Sequence, residues 1–313
     1  MKVLDSGVVF DASRTLRARR FCAWTNLAVL SDGRLLVSFH SGSAKEAPDE
    51  NVVMRLSADE GGTWETVCAG LDTLTLDGKI GSWHSGRVTE LEPGWLIGVF
   101  RWLDRSDPGR PMINPATTGT LYGALFVMDS TDSGHTWKNP RRIDSTPFPT
   151  VSLMGAPLVL ENGDIAVPCE SWKDYDDAGY GQHHAILSIS HDGGQTFDPP
   201  VVTATDPQNR LFFWDNRLAV DPETGRMLGM FWTHDREAKQ DVNAHIAWGA
   251  PDGLTWTCPT DAGFAGQIPT PLILPDGRVL VVYVHRHHPP VAAGHAESGF
   301  WQDVGRCQRI SLL

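Results

Sequence analysis

The chain has 313 residues, 41% hydrophobic and 20% charged, a balance that excludes wholesale disorder and can fill a sizeable core. Its 26 Lys and Arg against 38 Asp and Glu give a formal net charge of −12. A field of that sign repels phosphate backbones and anionic lipid, so neither nucleic acid nor a membrane is an expected partner.

At the N-terminus, MKVLDSGVVFDASRTLRARR places Asp5 inside its apolar stretch and its basic cluster after it. That is the reverse of a signal peptide, so a cytoplasmic location is expected. Beyond it one pattern recurs. The first hairpin is LAVLSDGRLLVSF (Leu27 to Phe39), followed by a third strand and the turn SADEGGTW (Ser57 to Trp64). The second pairs VTELEPGWLIGVF (Val88 to Phe100) with STDSGHTW (Ser130 to Trp137). The third pairs LVLENGDIAVPC (Leu158 to Cys169) with SHDGGQTF (Ser190 to Phe197). The fourth pairs LAVDPETGRMLGMF (Leu218 to Phe231) with a degenerate GAPDGLTW (Gly249 to Trp256), and the fifth hairpin is LILPDGRVLVVY (Leu272 to Tyr283).

Asp-Gly or Asn-Gly between apolar runs signals a β-hairpin, with φ > 0 expected at both central residues. The near-continuous Val, Leu and Ile runs predict strands buried on both faces. In each closing turn, Asp59, Asp132, Asp192 or Asp252 is placed to cap backbone N–H groups, and the aromatic residue to fill the gap between sheets. No single apolar run approaches the roughly 18 residues of a membrane span. Five cysteines, Cys22, Cys68, Cys169, Cys258 and Cys307, are widely spaced without a C-x-x-C pair and read as buried free thiols.

The repeated Ser-x-Asp-x-Gly-x-Thr-Trp turn resembles the Asp-box, or BNR, repeat of the sialidase superfamily, and the resemblance spans essentially the whole chain. It implies an all-β fold, a single β-propeller over residues 1–313. Five blades are legible where the family has six. RCQRISLL (Arg306 to Leu313) aligns with the third strand of the first repeat, so the sequence stops where a fifth box would begin. Val3 to Phe10 is a candidate outer strand closing a five-bladed ring; the alternatives are a shortened six-bladed one or a ring completed by a partner chain, which leaves a homo-oligomer open.

A propeller gathers the starts of its inner strands at one face. Residues interrupting the apolar pattern there are Trp24-Thr25-Asn26, Trp83-His84 with Arg87, Leu153-Met154, Trp214-Asp215-Asn216-Arg217 and Gln267. The second strands end on His40, Arg101, Glu170, Trp232 and Val284, and the framing loops add Glu46, Asp49, Glu50, Asp104, Arg105 and His234. Aromatic faces stack on sugar C–H surfaces, while Asp, Asn, Arg and His bind hydroxyls and anions.

The leading reading is a glycoside hydrolase acting on a terminal or anionic sugar through paired carboxylates. Asp215 and Glu170 are the candidate pair, with Asp49 and His84 as further catalytic candidates. Arg87, Arg101, Arg217, Trp24, Asn26, Trp83, Trp214 and His234 are the candidate sugar contacts. The Arg-Ile-Pro arginine of sialidases falls at Thr25, so classical sialidase activity is not expected. The alternatives are a polysaccharide lyase with His84 or His234 as base, and a non-catalytic glycan- or protein-binding propeller. No nucleotide motif and no metal-ligand spacing occurs, the His285 to His288 run included, so neither a cofactor nor a metal is expected.

Overall fold

The computed structural model describes residues 6–284 and the backbone of 308–312; Val3 to Asp5, His285 to His288 and Cys307 lie outside the described residues. The chain folds as two compact units, Met1–Thr203 and Ala204–Leu313. Every sheet in both is antiparallel.

The first unit holds three sheets, each with its strands in sequence order. The first sheet comprises β1 (Phe21–Val29), β2 (Leu35–Gly42), β3 (Asn51–Ser57) and β4 (Glu65–Cys68). The second has β5 (Thr75–Leu76), β6 (Lys79–Glu92), β7 (Trp95–Asp104), β8 (Gly123–Ser130) and β9 (Lys138–Arg142). In the third, β10 (Thr150–Leu153) and the short β11 (Leu158–Val159) both pair with β12 (Ile165–Trp172), followed by β13 (Ala185–Ser190) and β14 (Val201–Ala204).

The second unit holds two sheets. One is β15 (Leu211–Val220), β16 (Met227–Asp235), β17 (Gln240–Asp241), β18 (His245–Gly249) and β19 (Thr260–Asp261). The other has β20 (Gln267–Ile273), β21 (Val279–Val284) and β22 (Gln308–Leu312). Each hairpin read from the sequence lies in a different one of these five sheets, and RCQRISLL supplies β22 as the alignment to the first repeat expects. Residues 6–10 form no strand; Phe10 instead packs on Phe39, ring centroids 5.1 Å apart.

The hairpin turns differ from expectation in one respect. In the first, Gly33 N donates to Leu30 O and Leu30 N to Arg34 O, and only Gly33 is left-handed, at φ 86°. Asp32 keeps negative φ and caps Arg34 N at 3.0 Å, so the turn is a type I turn closed by a glycine bulge. Leu160 with Gly163 and Leu274 with Gly277 repeat the pattern.

Strands β2, β7 and β12 are buried along almost their whole length, as their unbroken apolar runs predict. Phe100 and Trp102 of β7 are fully enclosed, each removing apolar surface worth about 2–3 kcal/mol from water. The closing turns staple the sheets. Ser130 Oγ donates to Asp132 Oδ1 (2.8 Å) and accepts from Gly134 N (3.0 Å), while Thr136 donates its N–H and hydroxyl to the same carboxylate. Burial would raise the Asp132 carboxyl, but these hydrogen bonds hold it at about 2. Trp137 donates to Gly134 O and meets Phe100 edge-on, and Gly134 lies against Leu36 and Met54 of the neighbouring sheet. Ser57/Asp59 and Ser190/Asp192 repeat the arrangement; Asp252 keeps a single cap, to Leu254 N.

Cys68 and Cys169 are buried free thiols as expected, whereas Cys22 and Cys258 are exposed. Among the described residues, no helix is long and apolar enough to cross a membrane.

Candidate functional site

In four of the five sheets the interruption of the inner strand is a bulge, whereas β10 simply ends at Leu153. Ala23 pairs with His40 and Asn26 with Ser38, so Trp24 and Thr25 together oppose Phe39. His84 is the extra residue between the pairs Trp83–Trp102 and Ser85–Arg101. Asp215 and Asn216 oppose Phe231, and Ile268 and Pro269 oppose Tyr283. Trp24, Asp215 and Ile268 all sit near φ 55°. A bulge adds a residue outside the hydrogen-bond ladder and re-aims its side chain, so each of these four strands stays continuous through the interruption.

In the first unit the bulges bring one electrostatic cluster together. Glu50, at the end of the β2–β3 loop, has a fully enclosed side chain. Its Oε1 accepts from Ser82 Oγ (2.8 Å) and an Arg105 guanidinium nitrogen (2.7 Å); its Oε2 lies 3.1 Å from His84 Nδ1 and 3.3 Å from His40 Nδ1. Burial pushes the Glu50 carboxyl up, but the interactions with His84 and Arg105, both of which hydrogen-bond to it, outweigh that and hold the group far below the usual carboxylate range. Burial likewise lowers His40, with Glu50 opposing, so His40 stays neutral near pH 7. His84 carries Trp24 against its ring at 5.5 Å.

Beside this lies Arg101, 4% exposed. One guanidinium nitrogen makes only a 3.9 Å contact to Met112 Sδ; Nε and the second terminal nitrogen have no hydrogen-bond partner. Burial lowers its pKa to about 10 against the pull of Glu170, Glu50 and Glu46. Glu170, also buried, accepts from Trp172 Nε1 (3.0 Å) and faces His183 Nε2 (3.6 Å). A buried cation with open donors has the geometry to accept an anion.

His40, Glu50 and His84 also offer three ligand atoms within 4.8 Å of one another, the spacing of a divalent-cation site. Hydrogen bonding accounts for the same contacts: His84 Nδ1 bonds Glu50 Oε2, and His40 Nδ1 bonds the His84 carbonyl oxygen at 3.3 Å while lying equally near Oε2.

The second unit has its own cluster. Trp214 stacks on His234 at 5.0 Å and meets Trp232 edge-on, and His234 Nδ1 lies 2.9 Å from Asp241. Burial raises the Asp241 carboxyl, but His234, Gln267 and Trp232 together lower it. Asp215 pairs with Arg217 at 3.4 Å.

Comparison with solved structures gives the fold. A protein of unknown function from Dyadobacter fermentans matches with a TM-score of 0.67 at 21% identity, over 85% of this chain and 76% of the other. The NanB sialidase from Streptococcus pneumoniae matches at 0.62 and 13%, over 88% and 58%. An α-L-arabinanase from Penicillium chrysogenum, complexed with arabinobiose, matches at 0.57 and 16%, over 87% and 76%. The fold is that of the sialidase-like β-propellers. No family model and no curated protein matches the chain. This propeller chain spans only a little over half the length of the NanB sialidase it matches.

Several sequence-derived candidates find their place in the propeller's own framework. Trp83 belongs to the core, its indole donating to Asp72 O and its ring edge-on to Phe100 and Phe126. Asn26 caps Val88 N across two sheets, and Arg87 donates to the carbonyls of Trp24 and Thr25, holding the first bulge. Asp49 caps Ser43, while the adjacent Glu50 carries the buried charge. Glu170 and Asp215 belong to different units. Sequence reasoning placed His40, Glu50 and Arg105 on the candidate face without giving them a role, and passed over Asp241. Their only signal was position, in framing loops and at strand ends, where carboxylates that cap turns look the same.

Proposed function

We propose that the chain is a glycan-cleaving enzyme of the glycoside-hydrolase-like propeller class, acting on a sugar that bears a carboxylate. Arg101 carries this reading. Leaving a guanidinium buried with two open nitrogens costs stability, and a planar anion such as a sugar carboxylate supplies the two parallel acceptors it lacks. Glu170, with Trp172 and His183 against it, is the candidate acid–base carboxylate beside that receptor, and Trp24 the candidate stacking surface. The structural neighbours include two glycoside-cleaving enzyme types, which is consistent with a carbohydrate partner.

The test is cleavage of a panel of neutral glycosides, sialosides and uronides, with Arg101→Lys and Glu170→Gln beside the unmodified protein. Turnover confined to acidic sugars, with KM raised in Arg101→Lys, is expected. Neutral glycosides cleaved as well as acidic ones would overturn the reading. Sugars that shift the melting temperature without turnover would make the chain a binding propeller.

A further inference from the structure

Resting on Arg101 as a carboxylate receptor, we propose that the first unit cuts its glycan by β-elimination, with His84 as the base, and that the substrate is a 4-linked hexuronate. Two groups are required for that chemistry. One is a cation that holds the carboxylate as charge spreads into it; the other is a base for the C–H beside it, whose acidity that cation raises. The unit offers both within one cluster: Arg101 pairs across the sheet with Ser85, the residue next to the His84 bulge, and His84 bonds the buried Glu50 carboxylate.

Glu50 sets the imidazole up for this role. Its Oε2, 3.1 Å from Nδ1, accepts that nitrogen's proton in a hydrogen bond and leaves the lone pair on Nε2. Ser82 and Arg105 anchor the other carboxylate oxygen, so the dyad is held from behind. Within the described residues, His84 makes its hydrogen bond through Nδ1 alone. The second imidazole on the same carboxylate, His40, is fully enclosed, with a buried Nε2 and no route to substrate. Glu50 is thus a positioning residue and His84 the one that touches the substrate.

The step balances without a co-reactant. His84 Nε2 takes the proton from C5 of the uronate, and the C–H electron pair forms the C4–C5 double bond. The C4–O bond breaks, and the leaving oxygen takes its pair and a proton from solvent. His84 returns its proton to solvent. No water is added to the products, and nothing is oxidised or reduced.

The unmodified protein is incubated with 4-linked oligouronides, and the products are read by mass and by the ultraviolet absorbance of a conjugated double bond. Unsaturated products without added water are expected. His84→Ala should lower kcat by roughly 10²–10⁴-fold. His84→Gln, kept as a second variant in case the first fails to fold, should behave alike. Glu50→Gln should lower kcat with KM unchanged, whereas Arg101→Lys should raise KM. Saturated products carrying one water overturn the elimination and leave the preceding reading standing. Oligouronides bound but never cut, with every other acidic glycan on the panel also uncut, overturn both. Elimination that persists in a folded His84 variant overturns the assignment of the base.

Discussion

Replacing Arg101 with Met should stabilise the protein while abolishing its binding of acidic sugars. Arg101 is charged at pH 7 in the folded and unfolded chain alike. Its pKa falls from 12.5 to about 10 on folding, which puts the net cost of burying the charge, after attraction by Glu170, Glu50 and Glu46, at about 3 kcal/mol. That cost is constant at neutral pH and is relieved only as pH rises through about 10. Met fills much of the same volume without a charge, so a gain of about 1–3 kcal/mol is expected. Arg101→Lys retains a buried cation and should give no such gain. Urea unfolding at pH 7, followed by tryptophan fluorescence, reads the difference. A variant equal to or less stable than the parent would refute the reasoning, because Arg101 would then be a satisfied structural cation.

Ser130→Ala removes one link of the second closing turn, its bond to Asp132, and leaves the Gly134 N–H unpaired, so a loss of roughly 1–3 kcal/mol is expected in the same assay. Asp252→Ala, which removes one exposed cap, should be nearly silent. Glu50, depressed well below its ordinary 4.5, contributes stability that is present above that value and drains away as pH falls; Glu50→Gln should flatten that acid limb in a pH series of melts. His191 is raised by Asp164 and Asp198, so its contribution is full below about 6.5 and is lost as pH climbs through its elevated folded value. His191→Gln should remove that dependence on the neutral side.

The sheets were legible because a near-continuous apolar run and a glycine turn are local features, and five copies reinforce one another. The closing turns were legible for the same reason: Ser130, Asp132 and Thr136 lie within seven residues, so their mutual bonds are written into adjacent positions. The strand-end series His40, Arg101, Glu170 was also found, since repeat alignment places each opposite its inner strand, as the pairs Ala23–His40, Ser85–Arg101 and Ser152–Glu170 show. What the sequence hid was burial in loops. Asp49 and Glu50 are adjacent carboxylates, one capping an exposed turn and the other enclosed by His40 of the preceding strand and by Ser82, His84 and Arg105 from the next sheet. Trp83 misled for the complementary reason: next to His84, the bulge sends it into the core.

The bulges carry a consequence for how such a chain changes over time. A residue outside the ladder can be exchanged without touching strand pairing, and the turns that close each sheet lie at its far end. Trp24, His84, Asp215 and Ile268 therefore behave as interchangeable fittings on a fixed frame. New ligand preferences can be sampled at these positions while the hairpins and their staples bear the demands of folding.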